Sequence, residues 1–196
     1  METWILPALL GVGLAAATGF RTFLPLLMLG LAARYRLFGV ELADAMGWLD
    51  STPALIALGI ATAVELAADK IPAVDHALSA VGTVVRPVAG AVAAGAAFSH
   101  FDPMVAAIAG LIIGAPTALA FHAAQAGTRV VSSGTTLGLA NPFISAGEDL
   151  ASFFTALLAM LAPILIPLVL AVMAFALWSL WRLVRRRPTV SRRPGA

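Results

Sequence analysis

Apolar residues run along this chain in long blocks that are separated by short polar breaks. The blocks cover residues 4–33, 52–68, 87–99, 103–126 and 150–184. A helix of about 20 apolar residues is long enough to cross a bilayer core of roughly 30 Å. The last block exceeds one crossing, and Pro163 and Pro167 divide it. The pattern predicts an all-α polytopic bundle of about six transmembrane helices, at 4–33, 52–70, 86–100, 103–127, 149–165 and 167–184.

The distribution of basic residues predicts the orientation of these helices. Six of the twelve Lys and Arg residues lie in 182–193, directly after Trp178 and Trp181. Basic residues favour the cytoplasmic side and Trp favours the membrane interface, so we expect a cytoplasmic C-terminus. Six spans then place Arg34 and Arg36 outside, against the same rule, and a five-span arrangement therefore stays open as an alternative.

Composition places the whole chain in the membrane class. Of its 196 residues, 61% are hydrophobic and 11% are charged, and the mean hydropathy is +0.97. Soluble domains use roughly 45–50% apolar residues. There is no cysteine, which excludes disulfides and thiolate chemistry. We expect a single transmembrane domain over 1–184, followed by a basic cytoplasmic tail over 185–196.

The chain resembles itself after a shift of 95 residues. Residues 19–72 align with 114–167, and the identical pairs include Gly19 with Gly114, Thr22 with Thr117, Arg34 with Arg129, and Ile71-Pro72 with Ile166-Pro167. If an odd number of spans separates the two copies, the copies are inverted in the membrane. That arrangement is common in channels and secondary transporters. The sequence therefore predicts an inverted-topology repeat.

Two less apolar segments connect the predicted spans. Residues 73–86 carry apolar side chains at helical spacing on one side and polar ones elsewhere, which predicts an amphipathic segment that leads into the third span. Residues 127–149 are rich in Gly, Ser and Thr. We expect a tightly packed or re-entrant loop there, since such a backbone needs protein or water to satisfy its amides.

Charge concentrates at the end of the second span, where "ELAADKIPAVDH" holds Glu65, Asp69, Lys70 and Asp75. Glu65 and Asp69 are four residues apart and share one helix face. Both fall in the last turns, where the helix dipole disfavours negative charge. They need a partner, and the candidates are a metal ion, a proton, or one of the cations Lys70, Arg86 and Arg129.

Other spans bring further polar groups to the same region. The fourth carries His122, Gln125 and Arg129 on one face. The first carries Arg21 and Thr22 near the bilayer centre, where an arginine costs about 2.5–3.5 kcal/mol. We therefore expect Arg21 to face the bundle interior and to pair with an acid or with backbone carbonyls.

The fifth span begins with a second pair of acids, Glu148 and Asp149. In the inverted arrangement these acids meet Glu65 and Asp69 on the cytoplasmic side. The metal-ligand candidates are Glu65 and Asp69.

Each polar feature also has a purely structural interpretation. Ser145 and Glu148 have the spacing of a helix capping box, and Asp50-Ser51 fits a helix start. The end of the second span could be an ion-paired helix end at the headgroups. His122 could be a hydrogen-bonded core residue.

Three stretches resemble an uncharacterised bacterial membrane family, number 4126 of the domains of unknown function. They are "ATGFRTFLPLLMLGLAAR", "ELAADKIPAVDHALSAVGTVVRPVAG" and "SSGTTLGLANPFISAGEDL". The resemblance covers most of residues 8–170 and implies no activity. Because the family is bacterial, it implies a location in a bacterial cytoplasmic (inner) membrane. It does imply signature positions, namely Gly19, Arg21, Thr22, Glu65, Asp69, Lys70, Pro72, Asp75, Arg86, Pro87, Gly134, Asn141, Pro142, Ser145, Glu148 and Asp149.

We consider three functions. The first is a small transporter or channel with a polar, acidic site for a cation, proton or small polar solute. The second is a non-catalytic scaffold that packs through small-residue faces such as "VAGAVAAGAA", which would also suit a homodimer. The third, an enzyme acting on a lipid-linked substrate, lacks a convincing metal-ligand spacing.

We expect the first of these functions, with no enzymatic activity, no cofactor and no nucleic-acid partner. Membrane lipid and the solute would be its partners. The candidate binding residues are Arg21, Thr22, Glu65, Asp69, Lys70, Asp75, Arg86, His122, Arg129, Asn141, Ser145, Glu148 and Asp149.

Overall fold

A computed structural model of the protein describes residues 2–68, 72–136 and 139–185. These residues are helical almost throughout, and no β-strand occurs among them, so the all-α prediction is confirmed. The eight α-helices are α1 (Glu2–Phe20), α2 (Leu24–Arg34), α3 (Thr52–Ala68), α4 (Pro72–Ala96), α5 (Pro103–Ala109), α6 (Ala115–Thr136), α7 (Asn141–Leu161) and α8 (Ile166–Arg185).

Shorter helical turns join these helices. Turns of 3-10 helix cover Leu37–Gly39, Asp44–Asp50 and Pro163–Leu165. A π-helical segment, Gly110–Gly114, connects α5 to α6 without a break in the chain direction. The break at Pro163–Leu165 lies where the prolines of the last apolar block predict it.

The chain forms two compact units, one that ends at Ile166 and one that begins at Pro167. In the first unit α1 is the central helix, in contact with α4, α6 and α7. Its residues Leu14, Ala15, Ala16 and Ala17 are completely buried. Small side chains on the central helix let three neighbouring helices approach it closely.

Glycines bring α4 especially close to the π-helical segment. Gly90 faces Gly114, and Gly95 faces Gly110. A Cβ atom on Gly90 would lie 2.7 Å from the carbonyl oxygen of Gly114 and 2.5 Å from the Cβ of Ala118. No larger side chain fits there without moving a helix backbone.

The first predicted span, 4–33, is not one helix. Residues 21–23 belong to neither helix and separate α1 from α2. Pro25 gives a local reason, because its ring clashes with a helical carbonyl four residues earlier, at Arg21. The interruption, which we call the α1–α2 break, lies inside an apolar block.

Three described helical segments are long and apolar enough to cross a membrane: Ser79–Ala96, Pro103–Gly134 and Asn141–Leu161. A fourth would combine Asp44–Asp50 with Thr52–Ala68, which are bent by 66° relative to each other. The shorter apolar helices are Trp4–Phe20, Leu24–Arg34 and Pro163–Ala176. These apolar helices indicate a membrane protein, while the count of six spans stays a prediction.

The predicted loop over 127–149 is wrong for most of its length, because α6 continues to Thr136 and α7 begins at Asn141. Hydroxyl groups explain the error: Thr128 donates to the carbonyl of Ala124 at 3.0 Å, and Thr136 to that of Ser132 at 2.8 Å. These bonds satisfy the polar side chains within the helix. Similarly, the predicted amphipathic segment and the third span form a single helix, α4.

The close approach of α4 to the π-helical segment predicts that two glycine-to-alanine substitutions differ in their effect on stability. Gly90→Ala should lower the free energy of unfolding by about 1–3 kcal/mol, because its Cβ overlaps Ala118 and Gly114. Gly59→Ala in α3 meets no atom within 4 Å and should be neutral or stabilising by up to about 1 kcal/mol. Thermal unfolding in detergent measures both, and equal midpoints would contradict this packing.

Candidate functional site

Charged side chains from two other helices meet the backbone groups freed by the α1–α2 break. The amides of Thr22 and Phe23 donate to the two carboxylate oxygens of Glu65, at 2.9 and 3.2 Å. The carbonyl of Gly19 accepts from Nη1 of Arg86 at 2.8 Å. An anion thus caps the start of α2 and a cation caps the end of α1, as the helix dipole favours.

The two capping residues also face each other. Nη2 of Arg86 lies 4.0 Å from Oε1 of Glu65, and both side chains are buried. Arg86 further contacts the Oε1 of Gln125, and its Nη1 lies 2.9 Å from Nδ1 of His122. Gln125 in turn donates to Glu148 at 2.6 Å. Gln125 therefore connects the Glu65–Arg86 pair to the acids of α7.

Around Glu148 a second group of charges gathers. Arg129 donates to it through both Nη2 and Nε, at 2.5 and 3.3 Å. Arg21 lies 3.9 Å away and forms an ion pair with Asp149. Arg21 also donates to the carbonyl oxygen and the hydroxyl of Ser145, at 3.0 and 2.9 Å. Both kinds of partner expected for Arg21, an acid and a carbonyl, are present.

These contacts form one buried polar network, made of Arg21, Glu65, Arg86, Gln125, Arg129, Glu148 and Asp149. Among the described residues of the network, three guanidinium groups lie beside three carboxylates. Arg21 itself has no exposed surface. Because unpaired charge is costly in a low-dielectric interior, this pairing favours the burial of arginines inside an apolar bundle.

His122 joins the network as a neutral side chain. Its Nδ1 faces a guanidinium N–H, which can only donate, so Nδ1 accepts. Its Nε2 then carries the hydrogen and faces the hydroxyl of Thr83 at 3.3 Å. This arrangement matches a hydrogen-bonded core residue, the structural interpretation of His122.

A cavity of about 510 Å³ lies between α3 and α4, beside the α1–α2 break. Its polar lining comes from Thr22, Glu65 and Arg86. Apolar side chains of both helices form its walls, among them Ile60, Val64, Val81 and Val85. One side of the Glu65–Arg86 pair therefore faces open space, and the other faces the network.

A second cavity, of about 610 Å³, lies among the turns between α2 and α3 and includes Arg36, Glu41, Asp44 and Asp50 in its lining. Within the described ranges no group of three His, Cys, Asp or Glu side chains could hold a metal ion. Glu65, one of the metal-ligand candidates, is bonded to two amides and faces Arg86. The other, Asp69, lies outside the described residues.

The structure brings most of the candidate binding residues to one place. Lying in the network or bonded to it are Arg21, Thr22, Glu65, Arg86, His122, Arg129, Ser145, Glu148 and Asp149. Asn141 bonds instead to the hydroxyl of Ser133 at 3.2 Å. Asp69, Lys70 and the side chain of Asp75 lie outside what the structure describes.

The two helix-start interpretations have different outcomes. Since α7 begins at Asn141, Ser145 and Glu148 lie inside the helix, and the capping-box interpretation is wrong. Glu148 points to Arg129 and Gln125 instead of to its own backbone. Ser51 does cap a helix, because its hydroxyl accepts from the amide of Ala54 at 3.3 Å at the start of α3.

Sequence reasoning missed the backbone groups at Gly19, Thr22 and Phe23, and the linking role of Gln125. Signals for both were present. Pro25 stands inside an apolar block, four residues after Arg21, where it favours a break. Gln125 shares a helix face with His122 and Arg129, so it had to face the same neighbours as they do.

A family model described as Domain of unknown function (DUF4126) matches residues 8–184. The chain belongs to this family. The match contains the whole buried polar network and confirms the resemblance found in the sequence motifs. No curated protein and no solved structure matches the chain.

The contacts of Glu148 predict the effect of neutralising it. Glu148→Gln removes the carboxylate that accepts from Arg129 and Gln125 and should lower the free energy of unfolding by about 3–5 kcal/mol, the usual cost of breaking a buried pair. Titration with SDS measures this loss. The double variant Arg129→Gln/Glu148→Gln should recover part of it, because the two opposite charges are removed together. A single variant as stable as wild type would contradict the pairing.

Proposed function

We propose that this DUF4126 member is a small membrane transporter or channel whose polar pathway passes the α1–α2 break. The observation that carries the proposal is the break itself, with Glu65 on its free amides and Arg86 on its free carbonyl. The solute class is a cation, a proton or a small polar molecule.

Membrane physics supports a role for such a break. Non-helical backbone at membrane depth is tolerated where it is buried in protein or lines a cavity. Discontinuous helices in secondary transporters form solute sites from the polar ends of their two halves. Here the break adjoins a cavity of about 510 Å³ that Thr22, Glu65 and Arg86 help to line.

The Glu65–Arg86 pair supplies a mechanism. At 4.0 Å the two groups attract each other without a hydrogen bond. A proton or cation that arrives at Glu65 would neutralise the anion that holds the amides of Thr22 and Phe23. Arg86 keeps its other acceptors, Gly19 and Gln125, while the start of α2 is released. Occupancy of Glu65 would thereby shift the position of α2 relative to α1.

The positions of the helices along the chain support a repeat within this proposal, and we keep its inversion as part of the proposal. Adding 95 to the bounds of α3 gives 147–163, which overlaps α7 (Asn141–Leu161). The two copies differ in where the helix is irregular, because the α1–α2 break at 21–23 corresponds to residues 116–118, which lie inside α6.

The repeated arginines support it as well. Arg34 donates to the carbonyl of Asp50 at 2.9 Å, just before α3, and Arg129 bonds to Glu148 in α7. Each arginine therefore bonds to a residue near the start of the next long helix of its copy, Arg34 just before α3 and Arg129 within α7.

The scaffold alternative has less support, because the small-residue face of α4 is used inside the chain. Gly90 and Gly95 pack against the π-helical segment, and Ala94 packs against Gly11. These faces are covered and unavailable to a partner protein. A homodimer would need a different surface.

We also propose a location in the bacterial cytoplasmic membrane, with the C-terminus in the cytoplasm. In the second unit the guanidinium of Arg182 lies 4.6 Å from the ring centroid of Trp178, a pairing suited to the membrane interface. A green fluorescent protein fused after residue 196 should fluoresce, and alkaline phosphatase fused at the same place should be inactive. The reverse result would overturn this orientation.

The pathway proposal predicts that Glu65→Gln lowers solute flux by about tenfold or more, equivalent to about 1.4 kcal/mol or more of lost interaction. The amide side chain keeps an acceptor for Thr22 but loses the charge. Flux is measured in proteoliposomes under a clamped membrane potential, with protons, monovalent and divalent cations, and small polar solutes offered in turn.

Glu41→Gln provides the matched control, because Glu41 is exposed in the turns between α2 and α3. It should leave flux unchanged. Equal flux in wild type and Glu65→Gln would exclude Glu65 from the pathway. Wild-type vesicles no more permeable than protein-free vesicles to any of these solutes would favour the scaffold.

A further inference from the structure

The start of α2 is capped by a residue of another helix. At α3 the cap is local, because the hydroxyl of Ser51 accepts from the amide of Ala54 at 3.3 Å. The start of α2 has no capping side chain of its own and no acid in its first turn. Its acceptor is the carboxylate of Glu65 in α3. A rotation of that one side chain would therefore remove the cap while the backbone of α2 stays in place.

The groups around the Glu65 carboxylate form a binding place for an anion. The amides of Thr22 and Phe23 donate to its two oxygens, and Nη2 of Arg86 lies 4.0 Å from one of them. Amides at a helix start and a buried guanidinium bind carboxylates and other anions. None of these three groups can accept a hydrogen bond or coordinate a metal cation. What they bind in place of the carboxylate must therefore carry negative charge.

Arg86 depends on this carboxylate for its charge compensation. Arg86 is only 5% exposed. Its other partners are the carbonyl of Gly19, the amide oxygen of Gln125 and the neutral ring of His122, and none of them is charged. If Glu65 took up a proton, a buried guanidinium would keep no anion in contact, which is costly. A second anion at the same place would remove that cost.

The other charges of the network are engaged with each other. Arg129 pairs with Glu148, and Arg21 lies near Glu148 and pairs with Asp149. Two guanidinium groups thus face two carboxylates, with no negative charge in excess. Asp69, the other acid at this end of α3, lies outside the described residues.

The cavity between α3 and α4 gives an anion a way to this place. Thr22, Phe23, Glu65 and Arg86 all line it. Its volume of about 510 Å³ leaves room for the Glu65 side chain to turn away from the amides and for an ion of a few atoms to enter.

We propose that the α1–α2 break is a binding site for a small monovalent anion, and that the carboxylate of Glu65 occupies this site until Glu65 takes up a proton. The anion then lies between the amides of Thr22 and Phe23 and the guanidinium of Arg86. One negative charge replaces another, so the charge of the network is unchanged. Joint movement of the proton and the anion rests on the proposed function, whereas binding of the anion does not require transport.

The test compares the full-length wild type with Glu65→Gln, which imitates the neutral side chain. A glutamine offers one oxygen to the two amides, and its NH₂ group cannot accept from either. Thermal unfolding is followed in detergent while sodium formate replaces sodium gluconate at constant ionic strength. A ligand of the folded state raises the midpoint by mass action. Wild type near neutral pH should need about tenfold more formate than Glu65→Gln for the same rise.

Two further variants serve as controls. Glu41→Gln neutralises an exposed acid in the turns between α2 and α3 and should respond like wild type. Glu65→Gln/Arg86→Gln removes both charges of the pair and should lose the response to formate. Wild type also corrects for any general difference between the two salts.

Amide NMR spectra locate the anion in wild type, so this measurement remains decisive if Glu65→Gln does not fold. Labelling Thr and Phe with ¹⁵N marks Thr22 and Phe23, and also Thr52 at the start of α3. As the pH falls from about 7 to about 5, where acidic side chains begin to titrate, formate should shift the resonances of Thr22 and Phe23 relative to gluconate. The resonance of Thr52, whose helix is capped by Ser51, should not respond.

Three results would overturn the proposal. They are an equal response of wild type and Glu65→Gln to formate, a full response in Glu65→Gln/Arg86→Gln, or shifts at Thr22 and Phe23 no larger than at Thr52. The flux measurement is independent of these results. Formate binding without flux would keep the anion site and reject transport. Flux that depends on Glu65, without formate binding, would keep the pathway and reject the anion site.

Discussion

The α1–α2 break sets the main constraint on this bundle, because it frees backbone amides and a carbonyl inside an apolar block. In hydrocarbon each unsatisfied backbone group costs several kcal/mol. Glu65 and Arg86 meet that need from α3 and α4. Both side chains are charged and need an opposite charge nearby, and each supplies part of that charge for the other. The capping of one broken helix thus fixes the positions of two others, α3 and α4, relative to it.

The remaining charged residues continue the network across the bundle. Gln125 bonds to both Arg86 and Glu148, and Glu148 also contacts Arg129 and Arg21. Such a network needs closely spaced helices, because each contact is only a side chain long. The glycines and alanines of α1, α4 and the π-helical segment provide that spacing. The small residues therefore allow the short contacts on which the buried charges depend.

The sequence was sufficient for features that depend on periodicity and on the cost of charge in lipid. It predicted the helical class, the division at Pro163, and an interior position for Arg21 with acidic and carbonyl partners. It was insufficient where the conformation of a segment depends on residues that lie far away in the sequence. Pro25 favours a break, but Pro7 and Pro87 lie inside helices. What distinguishes the break is that Glu65 and Arg86 reach it, and only the fold brings them there.

Arg86 belongs to both the network and the lining of the cavity between α3 and α4. Its Nη atoms contact Gly19, Gln125 and Glu65. Glu65 lines the same cavity and holds the start of α2 through the amides of Thr22 and Phe23. A guanidinium is planar and rigid, so its Nη atoms cannot move toward one partner without changing their contacts with the others. A change of charge at Glu65 would therefore reach the end of α1 through Arg86, and the acids of α7 through Gln125.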